Sequence, residues 1–294
     1  MLGRFGKDAG SLLGVEIAHD SIRMLQVQRR QGRYQALAWA REALDVPLHA
    51  DWSKDYQPLI KALRSAYLRS GCKRQQVAVA LPGAEVICKV CSLPAGLTAA
   101  QLEERLLADA ERLFPFPLED LAMDFQVTGA SPQAEGHVDV LVAACRQRSL
   151  ELLEQVFEEA GLQAVAVEVD SIALRRVLPA GKHALLRIES ASAALHTWSD
   201  TGLPQRQEVR FAPSEPCETR LERAVQLFRG VTPQGLMVAT QPTESGWIDG
   251  LQQRLGIPCD QFRALNGVRA DVKELSLLAP SMALACGLAL GGGQ

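Results

Sequence analysis

The sequence predicts an α/β protein in which one architectural pattern is used twice. Three observations carry this reading. Leu12 to Leu81 reads as three consecutive strands followed by a helix and a fourth strand. From His183 the same order restarts. Between the two, Glu85 to Ala144 reads as a strand–helix–strand–strand block, set off by the breaker pair Pro82-Gly83.

The elements follow in order. Leu12 to Ile17 reads as a buried strand, and Ile22 to Gln28 and Arg33 to Arg41 as two more, joined by a turn at Gln31-Gly32. Leu59, Leu63, Ala66 and Tyr67 recur at helical spacing, with Gly71 placed to end that helix. Val77 to Leu81 is a short buried strand. In the block, Glu85 to Cys91 is a strand. Thr98 and Gln101 have capping-box spacing, and Leu102, Leu106, Ala110 and Leu113 form one apolar stripe behind them. One helix is therefore expected from Thr98 to Leu113, stopped by Pro115-Phe116-Pro117. Ala122 to Thr128 and Val138 to Ala144 are strands. Ser149 to Ala160 is a helix, Ala164 to Val169 a strand, and Asp170 is placed to N-cap the short helix that follows.

In the second half, His183 to Ile188, Ala193 to Trp198 and Leu203 to Phe211 read as strands. Leu221, Val225 and Phe228 mark a helix, Leu236 to Thr240 a strand, Trp247 to Leu255 a helix, and Ser281 to Leu290 a closing helix of small residues. The expected division is a first lobe over residues 11–180, with an inserted α+β module at about 85–144, and a second lobe over 181–294. The second lobe is expected to be reduced at its periphery, because one helix accounts for the interval from Phe211 to Leu236.

Composition and motifs exclude several classes. Lys and Arg total 31 against 34 Asp and Glu, so no basic field favours a duplex nucleic acid. The first apolar stretch is interrupted by Lys7, Asp8 and Glu16, unlike a signal peptide. The apolar run Leu277 to Leu290 contains Pro280 and is too short to span a bilayer. Met1 to Lys7 is too short and too glycine-rich to anchor a membrane. A cytoplasmic protein is expected. The 7 cysteines are scattered, which fits a reducing compartment. Cys88 and Cys91 lie in an extended apolar run with no second pair, so they read as strand residues rather than zinc ligands. No phosphate-binding loop, dinucleotide fingerprint, zincin motif or nucleophile elbow is present. The 5 histidines show no ligand spacing; His19 alone stands out, in the turn after the first strand, and it reads as an ordinary turn residue. The acidic pairs Glu103-Glu104, Glu119-Asp120 and Glu158-Glu159 read as solvated faces.

A repeated order of this kind is the signature of duplicated ribonuclease-H-like lobes facing each other, with nucleotide phosphates on the turn between the first two strands of each. Particular runs then resemble a known family. They are Val77 to Gly83, Val86-Ile87-Cys88-Lys89, Leu93-Pro94, Phe114-Pro115-Phe116-Pro117-Leu118-Glu119-Asp120 with Asp124-Phe125 behind it, Val138 to Arg146, and the closing Ala283 to Leu290. Together they resemble the PilM family, cytosolic scaffold proteins of type IV pilus assembly with an actin/FtsA-type fold. The resemblance spans nearly the whole chain and is strongest in the first half.

The resemblance implies a nucleotide cleft at Gly14, Glu16, Ala18, Asp20, Ser21, Arg187, Glu189, Ala239 and Thr240, and each of its three motifs departs from the family pattern. Gly14 and Ser21 match the first phosphate turn. Glu16 lengthens its carboxylate, and Ala18 replaces the glycine that lets backbone N–H groups approach a phosphate. In the second turn Arg187 stands for the metal-organising aspartate and Glu189 for a glycine. Ala239-Thr240-Gln241-Pro242 replaces the third motif's glycine pair. An unpaired Glu189 carboxylate about 4 Å from a phosphate oxygen would cost on the order of 4 kcal/mol at an effective dielectric near ~20. The expectation is a non-enzymatic scaffold with no cofactor, no catalytic residue and no metal. The alternatives are an active actin-like ATPase using ATP with Mg, and a small-molecule kinase on the same fold. By resemblance, the partners are the cytoplasmic N-terminal tail of a PilN-like membrane protein, which would hold the chain at the inner membrane, and other pilus platform proteins. The implied groove lies between the first lobe and the inserted module, with Val86, Ile87, Lys89 and Phe116 as its candidates.

Overall fold

The computed structural model describes residues 11–30, 33–48, 54–179, 184–240, 246–263, 268–269, 275 and 279–291. The expected turn at Gln31-Gly32, and His49, His183, Gln241, Pro242, Leu277 and the stretch Met1 to Lys7, lie outside these residues.

The first sheet contains β1 (Leu13–Ile17), β2 (Ser21–Arg30), β3 (Arg33–Ala43), β4 (Gln76–Leu81), β8 (Gln163–Val169) and β14 (Val268–Arg269), in the order β14-β3-β2-β1-β4-β8. Strands β1, β2 and β3 are antiparallel neighbours, whereas β4 joins β1 in parallel and β8 joins β4 in parallel. Side-chain alternation sends Leu13, Val15, Ile22 and Met24 to one face. There they meet Leu59 and Leu63 of α1 (Gln57–Ser70) and Val156 and Phe157 of α4 (Gln147–Glu159). Helix α1 ends at Gly71, whose φ of 69° is a left-handed cap that costs glycine no steric penalty.

The opposite face of β1 explains Gly14. Here α5 (Asp170–Arg175) and the closing helix α8 (Ala283–Gly291) pack, and Ala283 to Ala289 are all buried. A Cβ on Gly14 would lie 2.1 Å from the Ala285 carbonyl oxygen and 2.8 Å from the Ala289 nitrogen. A Cβ on Gly287 would lie 2.2 Å from the Ala173 carbonyl oxygen. Both glycines let backbones touch. Gly14, assigned from sequence to a phosphate turn, instead serves helix packing. Asp170 is corrected too. It is the first residue of α5 rather than its cap, and its Oδ1 accepts from the Ser171 amide at 2.5 Å.

The inserted module is a three-stranded antiparallel sheet of β5 (Ile87–Pro94), β6 (Leu121–Ala130) and β7 (His137–Arg146), in the order β5-β7-β6. The capping box at Thr98 and Gln101 is formed. The single helix expected behind it is two: α2 (Ala99–Ala108) and α3 (Ala110–Leu113), divided at Asp109. The break turns the chain so that Phe114 reaches the same core as Leu102 and Leu106, against Val140 and Val142 of β7.

The second sheet repeats the first. Its strands β9 (Ala184–Ile188), β10 (Ser192–Trp198), β11 (Pro204–Arg210), β12 (Leu236–Ala239) and β13 (Cys259–Gln261) run in the order β11-β10-β9-β12-β13. That is the order β3-β2-β1-β4-β8 over again. Helices α6 (Cys217–Gln226) and α7 (Gly246–Leu255) bury Leu221, Trp247 and Leu251 on one face. Between Phe211 and Leu236, α6 is the one α-helix. A boundary at 180/181 does not follow the packing to the end of the chain, because β14 pairs with Tyr34 and Gln35 of β3 and α8 lies against β1. Helix α8 is apolar on every side, so it is stable only where two surfaces cover it.

Candidate functional site

The turns after β1 and β9 face each other across the lobes. Each is closed by its own backbone. The Ala18 amide donates to the Ser21 carbonyl at 2.9 Å, and the Glu189 amide donates to the Ser192 carbonyl at 2.8 Å. Those two N–H groups are therefore engaged within the turns. Ser190 Oγ reaches across and donates to Asp20 Oδ2 at 3.1 Å.

Between the turns lies an ion lattice centred on Arg23. Glu16 and Arg23 are direct cross-strand partners in β1 and β2. The Arg23 guanidinium is fully buried and donates to both oxygens of Glu189 in the other lobe, at 2.8 and 2.6 Å. It also donates to the Ser281 carbonyl at 3.0 Å and lies 3.6 Å from Glu16 and 3.6 Å from Asp20. Its Nε donates to Ser21 Oγ at 3.2 Å, and Ser21 in turn donates to Asp20 Oδ1 at 2.8 Å. Arg187 donates to Glu16 through a short contact and to Glu189 at 3.0 Å. Arg41 completes the set, 3.9 Å from Asp20. Three carboxylates thus face three guanidiniums. Bidentate arginine–carboxylate pairing of this kind is strong and geometrically specific.

The electrostatics follow from this geometry. Burial by itself would raise the Glu189 carboxyl, but Arg23 and then Arg187 pull it down to about 2. Burial would lower the Arg23 guanidinium, yet Glu189 and Glu16 hold it above its ordinary value. The same balance, led by Glu16, raises Arg187. Glu189 is therefore not the unpaired, phosphate-repelling carboxylate expected from the sequence. It is the second lobe's half of a salt link. One Glu16 oxygen is buried with no hydrogen-bond partner among the described residues. A divalent cation placed there would sit beside both Arg23 and Arg187. No cluster of three potential metal ligands occurs among the described residues.

The other sequence candidates divide. Ala239 pairs with Arg187 in the β9–β12 register and is buried, as is Thr240. His19 is exposed on the turn. Arg23, Arg41 and Arg187 each face a carboxylate of the cleft, while Arg220 donates to the Ser190 carbonyl of the second turn at 3.4 Å. Sequence reading passed over Arg23 and Arg41 as site residues. The available signal was a basic residue in an apolar strand directly opposite Glu16.

A second inter-lobe junction lies behind the cleft. Trp198 Nε1 donates to the Ser171 carbonyl at 3.1 Å, Ser171 Oγ is 2.8 Å from His196 Nδ1, and Arg206 Nε lies 3.3 Å from Asp170. Burial, reinforced by Arg187 and Arg206, holds the His196 imidazole well below its ordinary range and so neutral. The arrangement ties α5 to β10 and β11.

At the expected partner groove the four candidates serve different cores. Val86 precedes β5 and packs on the first lobe, while Ile87 and Phe116 pack on the module. Lys89 is engaged internally: its amine caps the Leu113 carbonyl and lies 5.7 Å from the Phe114 ring centroid. Phe116 is half-buried, with the Arg146 guanidinium 5.1 Å from its ring centroid. Asp120 receives Arg146 at 2.8 Å, and that hydrogen bond holds its carboxyl below the usual range.

Two facing lobes of one topology, with a cleft at their paired first turns, define an actin-like protein. Over 97% of this chain and 99% of the other, the structure is similar to a PilM–PilN type IV pilus biogenesis complex, with TM-score 0.73 and 19% identity. A family model described as type IV pilus assembly protein PilM matches residues 14–193, more than half of the sequence, and the chain belongs to that family. The chain is also similar to the cytoplasmic domain of EpsL, an inner-membrane component of the type II secretion system of Vibrio cholerae (TM-score 0.52, 14% identity, 95% of this chain and 94% of that one). It is similar as well to ethanolamine utilization protein EutJ from Carboxydothermus hydrogenoformans (TM-score 0.52, 12% identity, 97% and 92%). No helix among the described residues is long and apolar enough to cross a membrane.

Proposed function

We propose that this type IV pilus assembly protein is a nucleotide-independent scaffold that holds the cytoplasmic N-terminal tail of a PilN-like membrane protein. The observation that carries the reading is the neutral lattice of Glu16, Asp20 and Glu189 with Arg23, Arg41 and Arg187. It links the lobes where a nucleotide would. A bound triphosphate would have to displace Glu189 from Arg23 and Arg187, and Asp20 from Arg23 and Arg41. The active-ATPase alternative requires that displacement, and a small-molecule kinase would require it as well. Partnership with a PilN-like protein is supported by family membership and by the similarity to a PilM–PilN complex. Association with the inner membrane would follow through that partner.

Two measurements test the proposal. Calorimetric titration with Mg-ATP is expected to show no binding below the millimolar range, and micromolar affinity would refute the loss of the nucleotide site. A synthetic PilN-like N-terminal tail is expected to bind the wild type, and Phe116→Ala is expected to weaken that binding about tenfold while melting stays cooperative. Unchanged affinity removes Phe116 from the groove, and failure of the wild type to bind the tail sinks the scaffold reading.

A further inference from the structure

The inserted module carries a feature that the nucleotide cleft and the Phe116 corner leave unused. Strand β6 is the last strand of its sheet and pairs with β7 alone. Its outer edge bears no strand among the described residues. Exposed edges of soluble proteins are commonly blunted by lysine or proline. β6 has neither: its sequence is LAMDFQVTGA, with Asp124 its one charge. A bulge between Val127 and Gly129 interrupts the pairing and leaves Leu121 to Val127 as the continuous stretch. Val127 is 44% exposed, and Leu107 and Leu118 of the same module are similarly open.

The module is also charged differently from the rest of the chain. Residues 85–146 contain 10 Asp and Glu against 4 Lys and Arg, a net charge of −6, so the remainder of a chain of net −3 carries +3. Three of the module's cations are engaged inside it: Lys89 on the Leu113 carbonyl, Arg112 on Asp109, and Arg146 on Asp120. Glu103, Glu104, Glu111 and Glu119 are exposed and form no ion pair among the described residues. Partial burial raises the Asp124 carboxyl against a hydrogen bond from the Phe125 backbone, and the charge of Glu103 adds to the rise. Two like charges beside a free strand edge are stabilised by an arriving cation.

We propose that the outer edge of β6 docks an extended cationic segment of a partner protein, which adds a strand along Leu121 to Val127 and places basic side chains against Asp124 and Glu103. Main-chain hydrogen bonds to the edge supply affinity, and charge selects the partner. Apolar residues alternating with the basic ones would cover Val127. This surface begins beside the Phe116 corner, because Leu121 pairs with Arg146, whose guanidinium lies over the Phe116 ring, and it extends along the edge to Val127; the inference stands whether or not the cleft has lost nucleotide.

The test uses the whole chain and two labelled peptides, one alternating Val with Lys and one alternating Val with Glu. Fluorescence anisotropy is expected to show the Lys peptide binding about tenfold or more tighter than the Glu peptide, an advantage that shrinks as salt screens it. Amide exchange is expected to slow at Leu121 to Val127 on binding. The double variant Glu103→Lys/Asp124→Lys is expected to abolish the preference, and the milder Glu103→Gln/Asp124→Asn to reduce it. Glu158→Lys on exposed α4 is expected to change nothing. Circular dichroism establishes that each variant is folded. Equal binding of the two peptides, an equal loss with Glu158→Lys, or protection elsewhere than β6 overturns the proposal. Phe116→Ala is expected to spare the Lys peptide while weakening tail capture. If it weakens both alike, there is one site and not two.

Discussion

Arg23→Met is expected to cost about 3–5 kcal/mol of stability, because it removes the buried bidentate partner of Glu189 and leaves that carboxylate with Arg187 alone. Urea denaturation of the variant measures this directly. Removing both partners, as Arg23→Met/Glu189→Met, keeps the lattice balanced and is expected to cost clearly less than Arg23→Met alone. Simple additivity of the two single changes would show that the pair does not couple the lobes. The pH dependence has a definite sign. Glu189 is held near 2 against an ordinary value of 4.5. A depressed carboxylate contributes stability that is fully present above 4.5 and is lost as pH falls toward 2. For this group the contribution is on the order of 3 kcal/mol. In Arg23→Met the contribution shrinks, so the acid limb of its stability curve between those values is expected to flatten relative to the wild type.

Gly14→Ala is expected to be as damaging, for a different reason. The added Cβ would meet two backbone atoms of α8, the Ala285 oxygen at 2.1 Å and the Ala289 nitrogen at 2.8 Å. Neither can rotate away as a side-chain end would. Either β1 or α8 must move, at a cost of roughly 3 kcal/mol or more. Thermal melting is expected to fall by roughly 6–12 °C if unfolding is cooperative. The result distinguishes two meanings of one residue. A glycine kept for close approach of a phosphate would tolerate alanine with little loss of stability. A glycine kept for helix packing would not. A variant that melts with the wild type would return Gly14 to the phosphate turn.

Much of the fold was legible because its signals are local. The alternation in β1 and β2, the capping box at Thr98 and Gln101, and the left-handed stop at Gly71 each depend on residues a few positions apart. The repeat of strand order could be read for the same reason. Where sequence reading failed, the deciding contact was distant. The stripe from Leu102 to Leu113 has continuous helical spacing, yet the helix breaks at Asp109 so that Phe114 enters the core under β7. Lys89 reads from the sequence as free to meet a ligand, but a carbonyl 24 positions away takes one of its three proton donors.

The sequence by itself determined the actin-like pattern of the PilM family, and that Ala18, Arg187 and Glu189 stand where that pattern has a glycine, an aspartate and a glycine. Those are properties of residue identity and spacing. Only the tertiary structure decided what the charges do. Glu189 reads as a repulsive carboxylate in isolation and as half of a bidentate salt link once Arg23 stands opposite, 166 positions away. Gly14 reads as a phosphate-turn glycine until α8 folds back over β1. The physical reason is the same in each case. A charge or a missing Cβ acquires its energetic meaning from what lies within a few ångströms, and those neighbours come from parts of the chain that sequence spacing does not bring together.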